Sequence, residues 1–188
     1  MDYTHDIENC LIVLRNGGLI LYPTDTIWGI GCDATNAEAV RKIYALKKRS
    51  ETKSMIVLLA TERDLLRYVA QPDLQVFDYL KTVQKPTTVI YKDPVGLAEN
   101  LVSADGTIGI RIVKDDFCRH LIKRFRRPIV STSANFSGQP PPASFDDIDE
   151  GIKAGVDYIV GYRQDDKTPQ NPSSVIKWDN GNITILRH

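Results

Sequence analysis

Short apolar runs rich in Ile, Val, Leu and Tyr recur along this chain, and most are separated by amphipathic stretches at helical spacing. That alternation constrains the fold more than any single motif. Strands interleaved with helices build an α/β architecture, in which helices cover a largely parallel sheet. The runs Leu19–Tyr22, Ile27–Cys32, Met55–Ala60, Thr88–Tyr91, Ile108–Val113, Pro128–Thr132 and Tyr158–Gly161 read as strands. Between them, helical patterns cover Asp6–Asn16, ended by Gly17-Gly18, then Glu62–Val69, Pro72–Val83, Asp116–Phe125 and Asp146–Ala154. Thr35-Asn36-Ala37-Glu38 has capping-box spacing, which predicts a further helix from Asn36 to about Lys48. The chain closes with Ser174–Trp178 and Ile183–Leu186 around Asp179-Asn180-Gly181-Asn182, a hairpin turn, so part of the sheet must be antiparallel. The expected fold is a twisted mixed parallel/antiparallel sheet with packed helices.

With 188 residues the chain is long enough to bury roughly 70% of its unfolded surface, and one domain over 1–188 is the simplest organisation. Twenty-four basic and 24 acidic residues cancel, so no global charge selects nucleic acid or a membrane surface. Cys10, Cys32 and Cys118 are odd in number and far apart, which suits buried, reduced thiols in the cytoplasm. The acidic start MDYTHDIENC lacks signal-peptide character, and no apolar run approaches the ~20 residues of a membrane span.

Several motifs bear on chemistry. Gly29-Ile30-Gly31-Cys32-Asp33-Ala34 formally fits the dinucleotide fingerprint. However, that motif needs a helix opening directly on the glycines, whereas here strand-like alternation runs through them. Glycines allowing a close approach of another element are the better reading. No G-x-x-x-x-G-K-[ST] loop and no G-x-S-x-G elbow occur. Arg41 to Lys53 carries six cations against one acid. At ~100° per residue, Ala39, Val40, Ile43, Tyr44 and Leu46 share one face, with Lys47 inside that sector and Lys48 outside it. Lys47 either snorkels at a helix end, or converges with Arg49 and Lys53 on a polyanion. The second basic run, at 119–127, has Phe117, Leu121, Ile122 and Phe125 as a buried stripe and Arg119, Lys123 and Arg126 as a solvated face. Ser131-Thr132-Ser133-Ala134-Asn135 follows a strand, where it forms either a ligand site or a turn into Ser137-Gly138.

Taken together, PTDTIWGIGCDA, LKKRSETKSMIVL, GIRI, STSANFSG, NPSSVI and ILR occur in an order that resembles the YrdC-like family over nearly the whole chain. Members of that family are threonylcarbamoyl-AMP synthases. They act in making the threonylcarbamoyl-adenosine beside the anticodon of tRNAs that read codons beginning with adenosine. The resemblance implies an open basic cleft in a short, single-domain protein. Its Lys-x-Arg and Ser-x-Asn pairs fall on Lys47, Arg49, Ser133 and Asn135, which are then the catalytic set. These four, with Lys53, Ser173 and Arg187, would bind ATP, and Thr24, Arg111 and Ser131 would bind L-threonine. Bicarbonate or CO2 is the third substrate, and Mg2+ accompanies ATP with no metal ligand from the chain. A threonylcarbamoyl-transferase complex would receive the product, and a tRNA contact is a further expected interaction. The chain departs from the family in three places. Ser50 follows Lys-x-Arg where proline is common, Leu58 stands where some members have histidine, and Gln84–Thr88 is a reduced Trp-Pro-Gly-Pro-x-x-Thr segment. The competing expectations are an RNA-binding, translation-associated module using the same cleft, and a related carbamoyl-adenylate enzyme with another acceptor.

Overall fold

The computed structural model describes residues 3–50, 55–168 and 170–188. Among them, nine strands join in one mixed sheet, in the order β7-β1-β2-β6-β3-β5-β4-β8-β9. These are β1 Ile20–Tyr22, β2 Gly29–Gly31, β3 Ile56–Leu59, β4 Thr87–Lys92, β5 Thr107–Ile112, β6 Ile129–Ser133, β7 Tyr158–Ile159, β8 Ser174–Asp179 and β9 Asn182–Arg187. β1–β7, β3–β5 and β4–β8 pair in parallel, whereas β1–β2, β2–β6, β6–β3, β5–β4 and β8–β9 are antiparallel. The mixed sheet expected from the strand–helix alternation and the closing hairpin is therefore present.

Strand alternation divides the core between two faces. On one, α1 (Thr4–Arg15) and α5 (Asp116–Phe125) bury Ile7, Leu11, Leu14, Phe117 and Leu121 against Ile20, Tyr22, Leu58 and Ile129. On the other, α2 (Ala37–Leu46) packs Ala39, Val40 and Ile43 against Leu21, Ile30, Val57 and Val130. α1 stops as its glycines demand: Gly17 takes φ +69°, and the N–H groups of Gly17 and Gly18 donate to Leu14 and Val13. Asp115 caps α5 by accepting from the Cys118 N–H at 2.8 Å.

Local chemistry shortens several expected elements. Thr35 forms no capping box, because its N–H and hydroxyl both donate to Asp33; the Asn36 side chain instead accepts from Glu38 and Ala39 and starts α2. α3 covers only Glu62–Leu65, with a turn after it that leads to a β-bridge between Val69 and Pro94. α4 covers only Val76–Thr82. α6 begins at Glu150 and ends at Ala154, because Asp147 closes a turn on Ser144 before Asp149 caps the helix. Among the described residues no helix is long and apolar enough to cross a membrane, and all three cysteines are buried and unbridged.

Candidate functional site

On β6, alternation points Ile129, Ser131 and Ser133 to the same face. Ile129 is covered by the α1/α5 core, but Ser131 and Ser133 lie beyond it and open into a cleft of about 410 Å3. The neighbouring strands repeat this split. Leu58 on β3 is fully buried opposite Arg111, while Ile56 reaches the cleft. Gly29 on β2 pairs with Ser133, and a Cβ there would lie 3.2 Å from Ser131 Oγ and 3.3 Å from the Thr132 carbonyl. Its missing side chain keeps the cleft floor open. Gly31 answers a different need: a Cβ would fall 2.6 Å from the ring of Tyr22. The glycines thus serve close approach within a strand, and α2 starts only at Ala37 rather than directly on the glycines.

Arg111 is the largest fully buried side chain among the described residues, at 2% exposure. Its partner is Asp25, in the turn between β1 and β2, with Nη2 to Oδ1 at 3.0 Å and only 9% exposure of the acid. The two are close enough for an ion pair but poorly aligned, so Arg111 Nε and Nη2 and Asp25 Oδ1 all lack a hydrogen-bond partner. Buried donors in that state are receptive to an anion. The turn itself is braced from several sides. Thr24 Oγ1 donates to the Ile27 carbonyl at 2.8 Å and accepts from the Thr26 N–H. Arg163 donates to the Thr24 carbonyl while pairing with Asp115, and the Cys118 thiol donates to the Pro23 carbonyl.

Lys47 ends α2 and is 1% exposed. Its ammonium donates to the carbonyls of Ser133 and Asn135, and its own carbonyl accepts from the Ser137 N–H at 2.9 Å. Three bonds therefore bolt the helix end to the loop after β6. Burial, with the Arg49 charge adding to it, pushes the Lys47 pKa down to about 8. Arg49 stands in the cleft wall, and its pKa is held below the usual arginine range by burial. Asn135 donates through Nδ2 to Phe136 and Gln139, leaving its buried Oδ1 unpartnered. Across the cleft, Ser173 Oγ lies 3.0 Å from Thr88 Oγ1, and Arg187 on β9 donates to both the carbonyl and the hydroxyl of Ser173. Burial, then the nearby Arg111 charge, lowers the Arg187 pKa.

The cleft lining thus includes Arg49, Arg111, Ser131, Ser133, Asn135, Ser173 and Arg187 from the expected set. Lys47 sits one layer beneath, behind the 133–135 loop. Thr24 is also one layer back, its hydroxyl engaged inside the turn, and Thr26 takes the lining position. Lys53 lies outside the described residues. Sequence reasoning missed Thr26 and Asp25; the available signal was the need of an arginine inside an apolar strand for a carboxylate. The reduced segment Gln84–Thr88 divides: Thr88 meets Ser173 beside the cleft, whereas Lys85, Pro86 and Thr87 line a separate groove.

The chain has relatives among known proteins. The sequence matches the Sua5_yciO_yrdC family profile, described as Telomere recombination, over residues 12–188. It is 33% identical over 155 residues to the threonylcarbamoyl-AMP synthase of Hahella chejuensis, covering 82% of this chain and 84% of that one. Against the threonylcarbamoyl-AMP synthase of Vibrio campbellii it is 29% identical over 185 residues, covering 97% and 98%. E. coli YciO superposes with a TM-score of 0.83 at 20% identity, over 98% of this chain and 89% of that structure. P. abyssi Sua5 complexed with L-threonine superposes at 0.85 with 23% identity, over 97% of this chain; the chain spans about half (54%) of that longer protein. These two likenesses carry the fold, and the profile match carries the membership: the chain belongs to the Sua5/YciO/YrdC family.

Proposed function

We propose that this protein is an L-threonylcarbamoyladenylate synthase, converting L-threonine, bicarbonate or CO2 and ATP into threonylcarbamoyl-AMP and pyrophosphate. One observation carries the reading: a single cleft gathers Arg49, Arg111 and Arg187 around Ser131, Ser133 and Asn135, with Arg111 buried and its donors unsatisfied. Such a site suits two anions held side by side.

The chemistry needs no nucleophile from the chain. The threonine nitrogen forms a bond to the carbon of CO2 and loses a proton, giving a carbamate. A carbamate oxygen then bonds to the α-phosphorus, the bond to the bridging β-phosphate oxygen breaks, and pyrophosphate leaves. The protein's task is to align the reactants and offset their mutual repulsion. In this reading Arg111, anchored by Asp25, grips the threonine carboxylate through its fork, beside Ser131 and Thr26. Thr24 supports that pocket by holding the turn. Arg49, Arg187, Ser133, Asn135 and Ser173 face the nucleotide, and Lys47 fixes the loop that carries Ser133 and Asn135. Among the described residues no group of three or more His, Cys, Asp or Glu could hold a metal. The cleft's hydroxyls, amides and cations suit Mg2+ brought in on the triphosphate. The adenylate would pass to a threonylcarbamoyl-transferase complex for tRNA modification in the cytoplasm.

The test is pyrophosphate release by purified protein with ATP and Mg2+, adding L-threonine and bicarbonate singly and together. Release that requires both is the expected result. Release that ignores threonine would overturn the assignment.

A further inference from the structure

A second concavity, of about 610 Å3, lies near the far end of β3 from Ile56, bounded by the start of α3, by α4 and by the end of β5. Its size falls within the range of ligand sites, roughly 300–1,000 Å3. Phe77, Leu80, Ile112 and Val113 give it an apolar floor. Arg63, Lys85, Lys114 and Arg119 stand around that floor, and none of them is in an ion pair among the described residues. Lys114 Nζ donates only to the Val83 carbonyl, at 3.1 Å. Lys81 is already paired with Asp78, and Glu62 is the one acid in the lining. In a chain whose charges sum to zero, this is a local excess of unpaired cations.

The combination selects the class of ligand. A small inorganic anion would leave the apolar floor unused. A single-stranded nucleic acid needs aromatic faces for its bases, and the one aromatic ring in the lining, Phe77, is 6% exposed. A peptide places alternate side chains on the same side of an extended backbone, ~7 Å apart. One large apolar side chain can then rest on the floor while flanking carboxylates meet the rim. We propose that this groove docks an acidic segment of a protein partner, with a leucine-like residue seated between carboxylates. The site is separate from the cleft, but its wall touches the same turn: the Lys114 N–H lies 3.4 Å from Asp25 Oδ2.

The experiment is fluorescence polarisation at low salt with the full chain and a labelled, end-capped pentapeptide, a leucine flanked on each side by two glutamates. Replacing the glutamates by glutamine should weaken binding about tenfold or more, since rim charges provide much of the attraction. Replacing the leucine by alanine should weaken it by about threefold or more, through the lost apolar contact. The Arg63→Ala/Lys85→Ala/Arg119→Ala variant should lose binding about tenfold while keeping its melting temperature and pyrophosphate release. Equal binding of the glutamine peptide, or an unaffected triple variant, would overturn the proposal. So would a 12-base-pair RNA hairpin that binds more tightly than the peptide and is lost in the same variant. The readout uses no ATP or threonine, so it stands or falls independently of the catalytic reading.

Discussion

Removing the carboxylate of Asp25 gives the sharpest test of how this site is held. Arg111 is 2% exposed and Asp25 9%, with the charges 3.0 Å apart. In Asp25→Ala the guanidinium stays buried, and the nearby charge of Arg187 repels it. Leaving one partner of a buried pair uncompensated costs about 3–5 kcal/mol. At roughly 2–4 °C per kcal/mol for a chain of this length, the melting temperature should fall by about 6–20 °C. Urea unfolding measures the free energy directly, and calorimetry the shift. The double variant Asp25→Ala/Arg111→Met separates the two contributions, because removing both charges leaves no buried charge unpaired. It should recover most of the loss in stability without recovering threonine-dependent turnover. Asp25→Asn keeps an oxygen facing Arg111, so it should fold near normally and show its defect as a raised KM for threonine, with the KM for ATP little changed. A loss below about 1 kcal/mol in Asp25→Ala would refute the reasoning, since it would mean water or another group already compensates Arg111.

Three further outcomes follow from the geometry. Lys47 has a folded pKa of about 8 against an ordinary 10.5, so it is charged in both states below pH 8, and burial then costs most. As pH rises from about 8 to 10.5 the native state loses this proton first; stability relative to Lys47→Met should therefore increase across that window in urea titrations, and a decrease would contradict the burial. Gly31→Ala forces a Cβ to 2.6 Å from the Tyr22 ring and 2.8 Å from the Val130 carbonyl, which should cost about 1–3 kcal/mol by denaturation, whereas Gly29→Ala should mainly narrow the cleft and reduce turnover. Arg187→Ala alters an exposed edge strand, so unfolding should shift by less than about 1 kcal/mol while the KM for ATP rises.

The elements were legible because their signals are local. The stripe of Phe117, Leu121, Ile122 and Phe125 fixed α5 at Asp116–Phe125, and strand alternation carried Ser131 and Ser133 past the covered Ile129 into the open. What stayed hidden depends on which strands become neighbours. Nothing near Asp25 in the chain announces Arg111, which is 86 positions away; they meet through the turn between β1 and β2 and the placement of β3 and β6 between β2 and β5.

Lys47 shows the same limit from the other side. Helical phase put it in the apolar sector of α2, which left snorkelling and anion binding as alternatives. In the fold, the end of β6 and the loop after it lie against the helix end, and the carbonyls of Ser133 and Asn135 turn inward onto the ammonium. In the proposed reading, a lysine in that place fixes Ser133 and Asn135 from behind the cleft lining. The motif residues would then divide between those that line the cleft and those that aim them, a division set by one layer of packing. Lys47→Met and Arg49→Ala should separate the roles. The first should lower kcat with the KM for ATP little changed, by loosening the loop, and the second should raise that KM by removing a cation from the cleft wall. Matching defects in both would place the two side chains in one role and refute the division.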